Sequence, residues 1–391
     1  MTSVLMSNYG NPELEFDHGK GCYLYTASGD RYLDFTMGIA VNSLGHCHPR
    51  LVTALQEQTE KLWHTSNLYR IGPAERLAKR LTELTFAERV FFCNSGTEAV
   101  EAGFKIMRRY HHHLGKPHRK RIIALSESFH GRTLAPLAAS ANPAHTEGFL
   151  VGDSGFDQVA FGDIDALAAA VNENTAGIIL EPVQGEGGIR VMPGEYLKAV
   201  RQLCDDHGLL LMYDEVQCGI ARSGSIYAHQ QPGVEPDILA SAKGLGGGFP
   251  VGACLTTEKA SACMVAGSHG STFGGNFLAM AAANAVLDEV TTTGFLENVR
   301  DSGSYLIDHL TQLAATHASV IGEVTGIGLM IGIKCIVDNN TLVRALQKNK
   351  MLVVRAGANS IRLLPPLNVE RAEMDEALGM LAGTLDQLQE T

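Results

Sequence analysis

Four short stretches join residues of chemical use to the kind of backbone that presents them. SAKGLGGGFP, Ser241 to Pro250, sets Lys243 ahead of four glycines in the next five positions. Such a lysine is either the cation of a glycine-rich phosphate loop or an amine nucleophile with small neighbours beside which a flat group can lie. The dinucleotide pattern GxGxxG fails, because Gly244, Gly246, Gly247 and Gly248 run into Phe249 and Pro250 rather than into a glycine that opens a helix. LLLMYDEVQCG ends five apolar residues on Asp214. A carboxylate buried at such a strand tip needs a cation or a protonated nitrogen opposite it. A nucleotide hydrolase's metal-binding acid has a similar setting, but the GxxxxGK[ST] loop that accompanies it is absent.

In the third stretch, FFCNSGTEAVEAGFKIM, a strand runs through Asn94-Ser95-Gly96-Thr97 into a helix. Free N–H groups and the helix dipole would receive an anion there, with Gly96 and Thr97 as phosphate contacts. The fourth, SFHGRTLAPLAAS, offers Phe129 to a planar ring and Arg132 to a carboxylate. Taken singly, three of the four have a plainer explanation: a capped strand–helix turn, a solvated lysine, a surface arginine.

The elements that must position these residues are legible in the hydrophobic pattern. Apolar runs at Val90–Cys93, Ile122–Leu125, Gly177–Leu180, Leu209–Tyr213 and Asp237–Ala242 read as short buried strands. Between them lie helical stretches such as PAERLAKRLTEL, with Leu77, Leu81 and Leu84 on one face, and EYLKAVRQLCDDHG, closed by Gly208. This alternation predicts an α/β fold with a parallel sheet covered on both faces, whose ligands sit at the carboxyl ends of the strands. It runs from 55 to 290, a large domain. Residues 1–54 and 291–391, helical near Leu296 to Thr316 and with strands near Ile331 and Ile361, read as a smaller α+β domain built from both chain ends.

The 391 residues carry a net charge of −11, with 45% hydrophobic and 19% charged residues. That balance argues against a nucleic-acid surface. The start, MTSVLMSNYGNPELEF, has no basic, apolar targeting pattern, and no run approaches the ~20 apolar residues of a membrane span, so a cytoplasmic protein is expected. Eight scattered cysteines without a CxxC predict reduced core thiols. The histidines of HHHLGKPHRKR and of GHCHP lack the geometry for a shared ion, so no metal site is expected; the first cluster reads as an exposed helix end and loop.

Together, FCNSGTEA, SFHGRT, EPVQGEGG, YDEVQCG, SAKGLGGGFPVGA and HGSTFGGN occur in the order and spacing of the class III aminotransferases, fold type I pyridoxal-phosphate enzymes, and the chain resembles that family over nearly its whole length. The resemblance implies a large domain with a mostly parallel seven-stranded sheet, pyridoxal 5'-phosphate (PLP) bound covalently to Lys243, and Asp214 paired with the ring nitrogen. It implies that Gly96 and Thr97 hold the phosphate, that Phe129 stacks on the ring, and that Gln217 with Glu215 and Val216 lines its hydroxyl side. Thr272 would reach the phosphate, and Ser271 the substrate, in the partner of a homodimer with shared active sites. Arg132 would bind one substrate carboxylate in both half-reactions. Glu186 would cover Arg362 during the amine half-reaction and release it for the second carboxylate of 2-oxoglutarate and glutamate.

GIAVNSLGHCHP, KLWHTSNLY and IRLLPPL resemble the acetylornithine branch of the family, which implies transamination of N2-acetyl-L-ornithine with 2-oxoglutarate in arginine biosynthesis. Ile39 stands where enzymes acting on free ornithine carry a tyrosine, which fits an N-acylated amine. GTEAVEAGFK leans toward the wording of 4-aminobutyrate enzymes, and GGNF replaces the usual GGNP. Succinyldiaminopimelate, succinylornithine and 4-aminobutyrate therefore remain alternative substrates. A same-fold PLP aminomutase or decarboxylase, or a phosphate-ligand binding protein without catalysis, are the competing classes.

Overall fold

The structure, a computed structural model, describes residues 4–10, 12–140, 142–149 and 152–390. Residues 1–3 and 11, part of the stretch read for a targeting signal, lie outside the described residues.

Seven strands form the main sheet: β1 (Arg89–Cys93), β2 (Arg121–Leu125), β3 (Phe156–Val159), β4 (Thr175–Leu180), β5 (Leu210–Asp214), β6 (Ile238–Ser241) and β7 (Gly252–Thr256). Their spatial order is β1-β7-β6-β5-β4-β2-β3. From β6 to β3 every pairing is parallel, whereas β7 runs antiparallel to both of its neighbours. The sheet is thus mostly parallel, and five strands match the apolar runs. β3 (FDQV) lacks such a run, and β7 (GACLT) has one of mostly small residues, Gly252–Leu255, that was not read as a strand.

Side chains alternate across a strand, so a sheet buried on both faces needs apolar residues at successive positions. Ile122, Ala124, Leu210 and Met212 pack on one face with the helix Gly96–His113. Ile123, Leu125, Leu211 and Tyr213 pack on the other with Leu197, Val200 and Cys204 of the helix Gly194–His207. Each fully buried aliphatic side chain contributes roughly 1.5–3 kcal/mol. The second helix ends at Gly208, whose φ of 63° closes it in the left-handed conformation.

Both chain ends build two further sheets of four strands each, and Val183–Gln184 pairs with Arg190–Val191 in a short ribbon beside the main sheet's strand ends. Strands His18–Lys20, Tyr23–Tyr25 and Arg31–Asp34 form an antiparallel meander, and Met351–Leu352 joins it in parallel beside Leu33 and Asp34. Strands β8 (Ile321–Ile327), β9 (Met330–Cys335), β10 (Val354–Ala356) and β11 (Ser360–Leu363) form an antiparallel sheet in the order β8-β9-β11-β10. Its core is continuous with that of the main sheet through Leu33, Leu245, Val286, Leu306 and Ile361. The helix Pro49–Thr59 runs unbroken across the position expected to divide the first segment from the second.

The three adjacent histidines part company. His111 is buried and donates from Nε2 to the Ala176 carbonyl at 2.8 Å, while His112 and His113 are exposed. The exposed helix end expected there begins one residue later, because His111 lies on the face turned to the sheet. Seven cysteines are buried free thiols and Cys47 is exposed. No described helix is long and apolar enough to cross a membrane.

Candidate active site

The carboxyl ends of β1, β2, β4, β5 and β6 converge on one cavity of about 400 Å³. They bring Gly96 and Thr97, Phe129 and Arg132, Glu181 and Glu186, Asp214, and Lys243 to its wall, with Val216 and Gln217 beside them.

Lys243 follows β6 with φ 43°, a left-handed conformation that a residue with a Cβ adopts at a cost. Its side chain is half-buried, and among the described residues no hydrogen bond or ion pair holds its Nζ. Burial lowers its pKa; Glu186 raises it, Arg362 lowers it further, and Asp214 and Glu181 raise it. The amine is therefore shifted toward the neutral form that a nucleophile or base requires. The glycines after it make the turn: a Cβ on Gly246 would lie 1.9 Å from the Phe249 carbonyl oxygen, and one on Gly248, at φ 119°, 2.7 Å from Asn42 Oδ1. They let the chain fold tightly on itself and on the N-terminal segment.

Asp214 is buried at the tip of β5. Its Oδ1 accepts from the Val216 N–H at 3.1 Å, and its Oδ2 lies 2.9 Å from His130 Nδ1. His130 is buried too, and its Nε2 has no partner among the described residues. Sequence reasoning passed over His130 although it lies between Phe129 and Arg132.

Glu181 was missed as well. It follows the all-buried β4 as Asp214 ends β5, so the reasoning that singled out Asp214 would have found it. Its Oε2 accepts from the Phe129 N–H at 3.1 Å and its Oε1 from the Gly185 N–H at 3.2 Å. Burial pushes its carboxyl up to about 7, with Asp214 adding to the rise and His130 and the two N–H donors opposing it.

At the start of the helix Gly96–His113, the Ser95 hydroxyl accepts from the Glu98 N–H at 3.4 Å. The N–H groups of Gly96 and Thr97 have no partner among the described residues. A Cβ on Gly96 would come within 2.7 Å of Val216 Cγ1, so glycine lets the helix begin against the segment after Asp214. Arg132 is exposed, its guanidinium carbon 5.6 Å from the Phe129 ring centroid, and it donates to His145 Nε2 at 3.1 Å. Burial and then the nearby Arg132 charge lower the His145 pKa, which suits a neutral imidazole acceptor.

Arg362, on β11, is 1% exposed and holds Glu186 in a two-pronged pair, Nη1 to Oε1 at 2.7 Å and Nη2 to Oε2 at 3.0 Å. It also donates to Gln217 Oε1 at 3.2 Å and to the Arg355 carbonyl at 2.9 Å.

Three expected residues are not brought to this cavity. The Glu215 side chain points away from it and accepts from His229 Nδ1 at 2.7 Å and from the N–H groups of Ala228 and His229. Successive residues leaving a strand face opposite ways, so Asp214 and Glu215 cannot share a site. Of the Glu215–Val216 segment expected beside Gln217, Val216 reaches the cavity wall and the Glu215 side chain does not. Ser271 and Thr272 line a second cavity that shares Asn94 with the first, and Ser271 Oγ accepts from Asn94 Nδ2 at 3.2 Å.

A lysine, a buried acid, an open helix start and Arg132 at the ends of parallel strands, with Arg362 reaching in from the antiparallel sheet to hold Glu186, define the class. The chain belongs to the class III aminotransferases: the family model "Aminotransferase class-III" matches residues 5–385, and the fold is fold type I. Among its relatives, the acetylornithine aminotransferase of Mesorhizobium japonicum is 54% identical over 97% of this chain and 95% of its own, and that of Agrobacterium fabrum 52% over 96% and 94%. The solved N-acetylornithine aminotransferase of Stenotrophomonas maltophilia superposes with a TM-score of 0.86 at 34% identity, covering 98% of each chain. The ornithine aminotransferase of Toxoplasma gondii ME49 gives 0.95 at 30%, covering 99% of this chain and 93% of that one. The family is PLP-dependent, and a further Toxoplasma gondii ornithine aminotransferase structure names PLP at its active site. The donor set here fits such a group: two unspent N–H groups at a positive helix end suit a phosphate, and Asp214 suits a protonated ring nitrogen.

Proposed function

We propose that the chain transfers the side-chain amino group of N2-acetyl-L-ornithine to 2-oxoglutarate, giving N-acetylglutamate 5-semialdehyde and L-glutamate, with PLP held by Lys243, as a step of arginine biosynthesis. The observation that carries this reading is the Glu186–Arg362 pair lying over a cavity that also presents Arg132 and Lys243. Simple ligand binding needs neither a free lysine nor an arginine masked by a partly exposed acid. The identity of the amine rests on the acetylornithine aminotransferases that the chain resembles at 52–54% identity.

Bound there, PLP supplies an electron sink for the pair left when a proton leaves the substrate carbon. Gly96 and Thr97 would hold its phosphate, Phe129 would face its ring, Asp214 would keep its nitrogen protonated, and Val216 and Gln217 would border it. Lys243 Nζ takes the proton from the substrate carbon and returns it elsewhere. Arg132 grips a carboxylate in both half-reactions. With Glu186 across Arg362 the far end of the cavity is close to neutral and suits an acylated amine. With Glu186 withdrawn, Arg362 receives the second carboxylate of the dicarboxylate substrates.

A homodimer supplies Ser271 and Thr272 to the partner's site, in keeping with their position in the neighbouring cavity. The large domain spans 55–290, with 1–54 and 291–391 forming the small one, and the protein works in the cytoplasm. The test is a panel of amines with 2-oxoglutarate on the purified yellow protein. Acetylornithine should give the highest kcat/KM; preference for succinyldiaminopimelate or 4-aminobutyrate would move the assignment within the family.

A further inference from the structure

Glu181 has no part in the chemistry above, yet its carboxylate is 5% exposed and lies between two loops of the site. One oxygen accepts the Phe129 N–H, at the root of the loop that carries Phe129 and Arg132. The other accepts the Gly185 N–H, one residue before Glu186. The Glu186 carbonyl in turn accepts from the Gly357 N–H at 2.6 Å. The Glu186 backbone is therefore held from both sides while its carboxylate, on a side chain 35% exposed, is held among the described residues only by Arg362.

We propose that Glu181 is a positioning residue that clamps the Phe129 loop to the Glu186 loop, so that Glu186 leaves Arg362 by side-chain rotation about a fixed backbone. The proposal rests on the reading of Glu186 as a gate. Without the clamp, the gate would carry its backbone and the Phe129 loop with it. A carboxylate suits the task because it accepts two N–H bonds at once, and bonds to an ionised acceptor are the stronger kind. Glutamine, of the same shape, accepts with one end and opposes the other N–H with its own donor. The groups facing Glu181 are His130 and Asp214, with Lys243 and Cys218 further off.

The experiment is amide hydrogen exchange on the cofactor-free protein, wild type against Glu181→Gln, read at Phe129–Arg132 and Gly185–Gly188. Exchange should rise about tenfold in both segments together and stay unchanged at the Gly194–His207 helix. Unchanged exchange, or a rise in one segment alone, overturns the clamp whatever the protein's substrate. Should Glu181→Gln not fold, the wild type serves. After correction for intrinsic rates, both segments should change protection together and by the same factor as Glu181 titrates between pH 5.5 and 8, and constant protection or a change in one segment alone overturns the proposal. In the loaded enzyme, kcat/KM for the amine half-reaction should fall about tenfold more than for the glutamate half-reaction, because a loose gate uncovers Arg362 prematurely. Equal losses would mark Glu181 as merely structural.

Discussion

Two acid–base pairs border one cavity, and they are built differently. Asp214 and His130 are both buried, and the second oxygen of Asp214 is taken by a backbone N–H. Glu186 and Arg362 are unequal: the arginine is buried, while the glutamate side chain keeps a third of its surface exposed. Removing one member of a fully buried pair leaves a stranded charge at a cost of several kcal/mol. Arg362 would not be stranded, because Gln217 and the Arg355 carbonyl still accept from it. The first pair is therefore a fixed electrostatic element and the second a latch. The difference lies less in the bonds than in what each partner retains when the other leaves.

Substitutions around the cavity should separate them. Lys243→Ala removes the amine that both half-reactions use, and activity should fall about 10⁴-fold in each, with loss of the protein's yellow colour. A coloured, active Lys243→Ala protein would contradict the site assignment. Asp214→Asn keeps the shape of the fixed pair but removes its charge, and both half-reactions should slow together by about 10²–10³-fold. A loss confined to one half would make Asp214 part of the latch.

The smallest expected effect is on stability. Glu181 has a raised pKa in the folded protein. Its stabilising contribution is therefore complete below the ordinary glutamate range and is lost as pH rises through the raised value. Between pH 4.5 and 8, cofactor-free wild type should lose about 1–3 kcal/mol relative to Glu181→Gln in urea unfolding. Parallel pH profiles would place the titration elsewhere.

The fixed end was the more legible in the sequence. Lys243 and Asp214 each end a run of apolar residues, and burial makes a charged residue in that position conspicuous. Strand β3 escaped notice because FDQV lacks the continuous apolar run of a central strand, and β7 because its run, Gly252–Leu255, has no β-branched or aromatic residue. β3 lies at the sheet edge, and β7 contributes small side chains. The resemblance placed the Glu215–Val216 segment beside Gln217 without saying which way its side chains face, and strand alternation turns that of Glu215 away from Asp214 toward His229. The latch is a contact between residues 176 positions apart, and no local spacing brings Arg362 to Glu186. Only the resemblance to a family suggested that pairing, and only the folded chain supplies Gln217 and Arg355 as the acceptors that let it open.

The most direct test of the latch is single-turnover kinetics of Glu186→Ala in each half-reaction, followed by the colour change of the bound cofactor. With Arg362 permanently uncovered, kcat/KM for acetylornithine should fall at least about tenfold more than kcat/KM for glutamate. Equal losses in the two half-reactions would contradict the account.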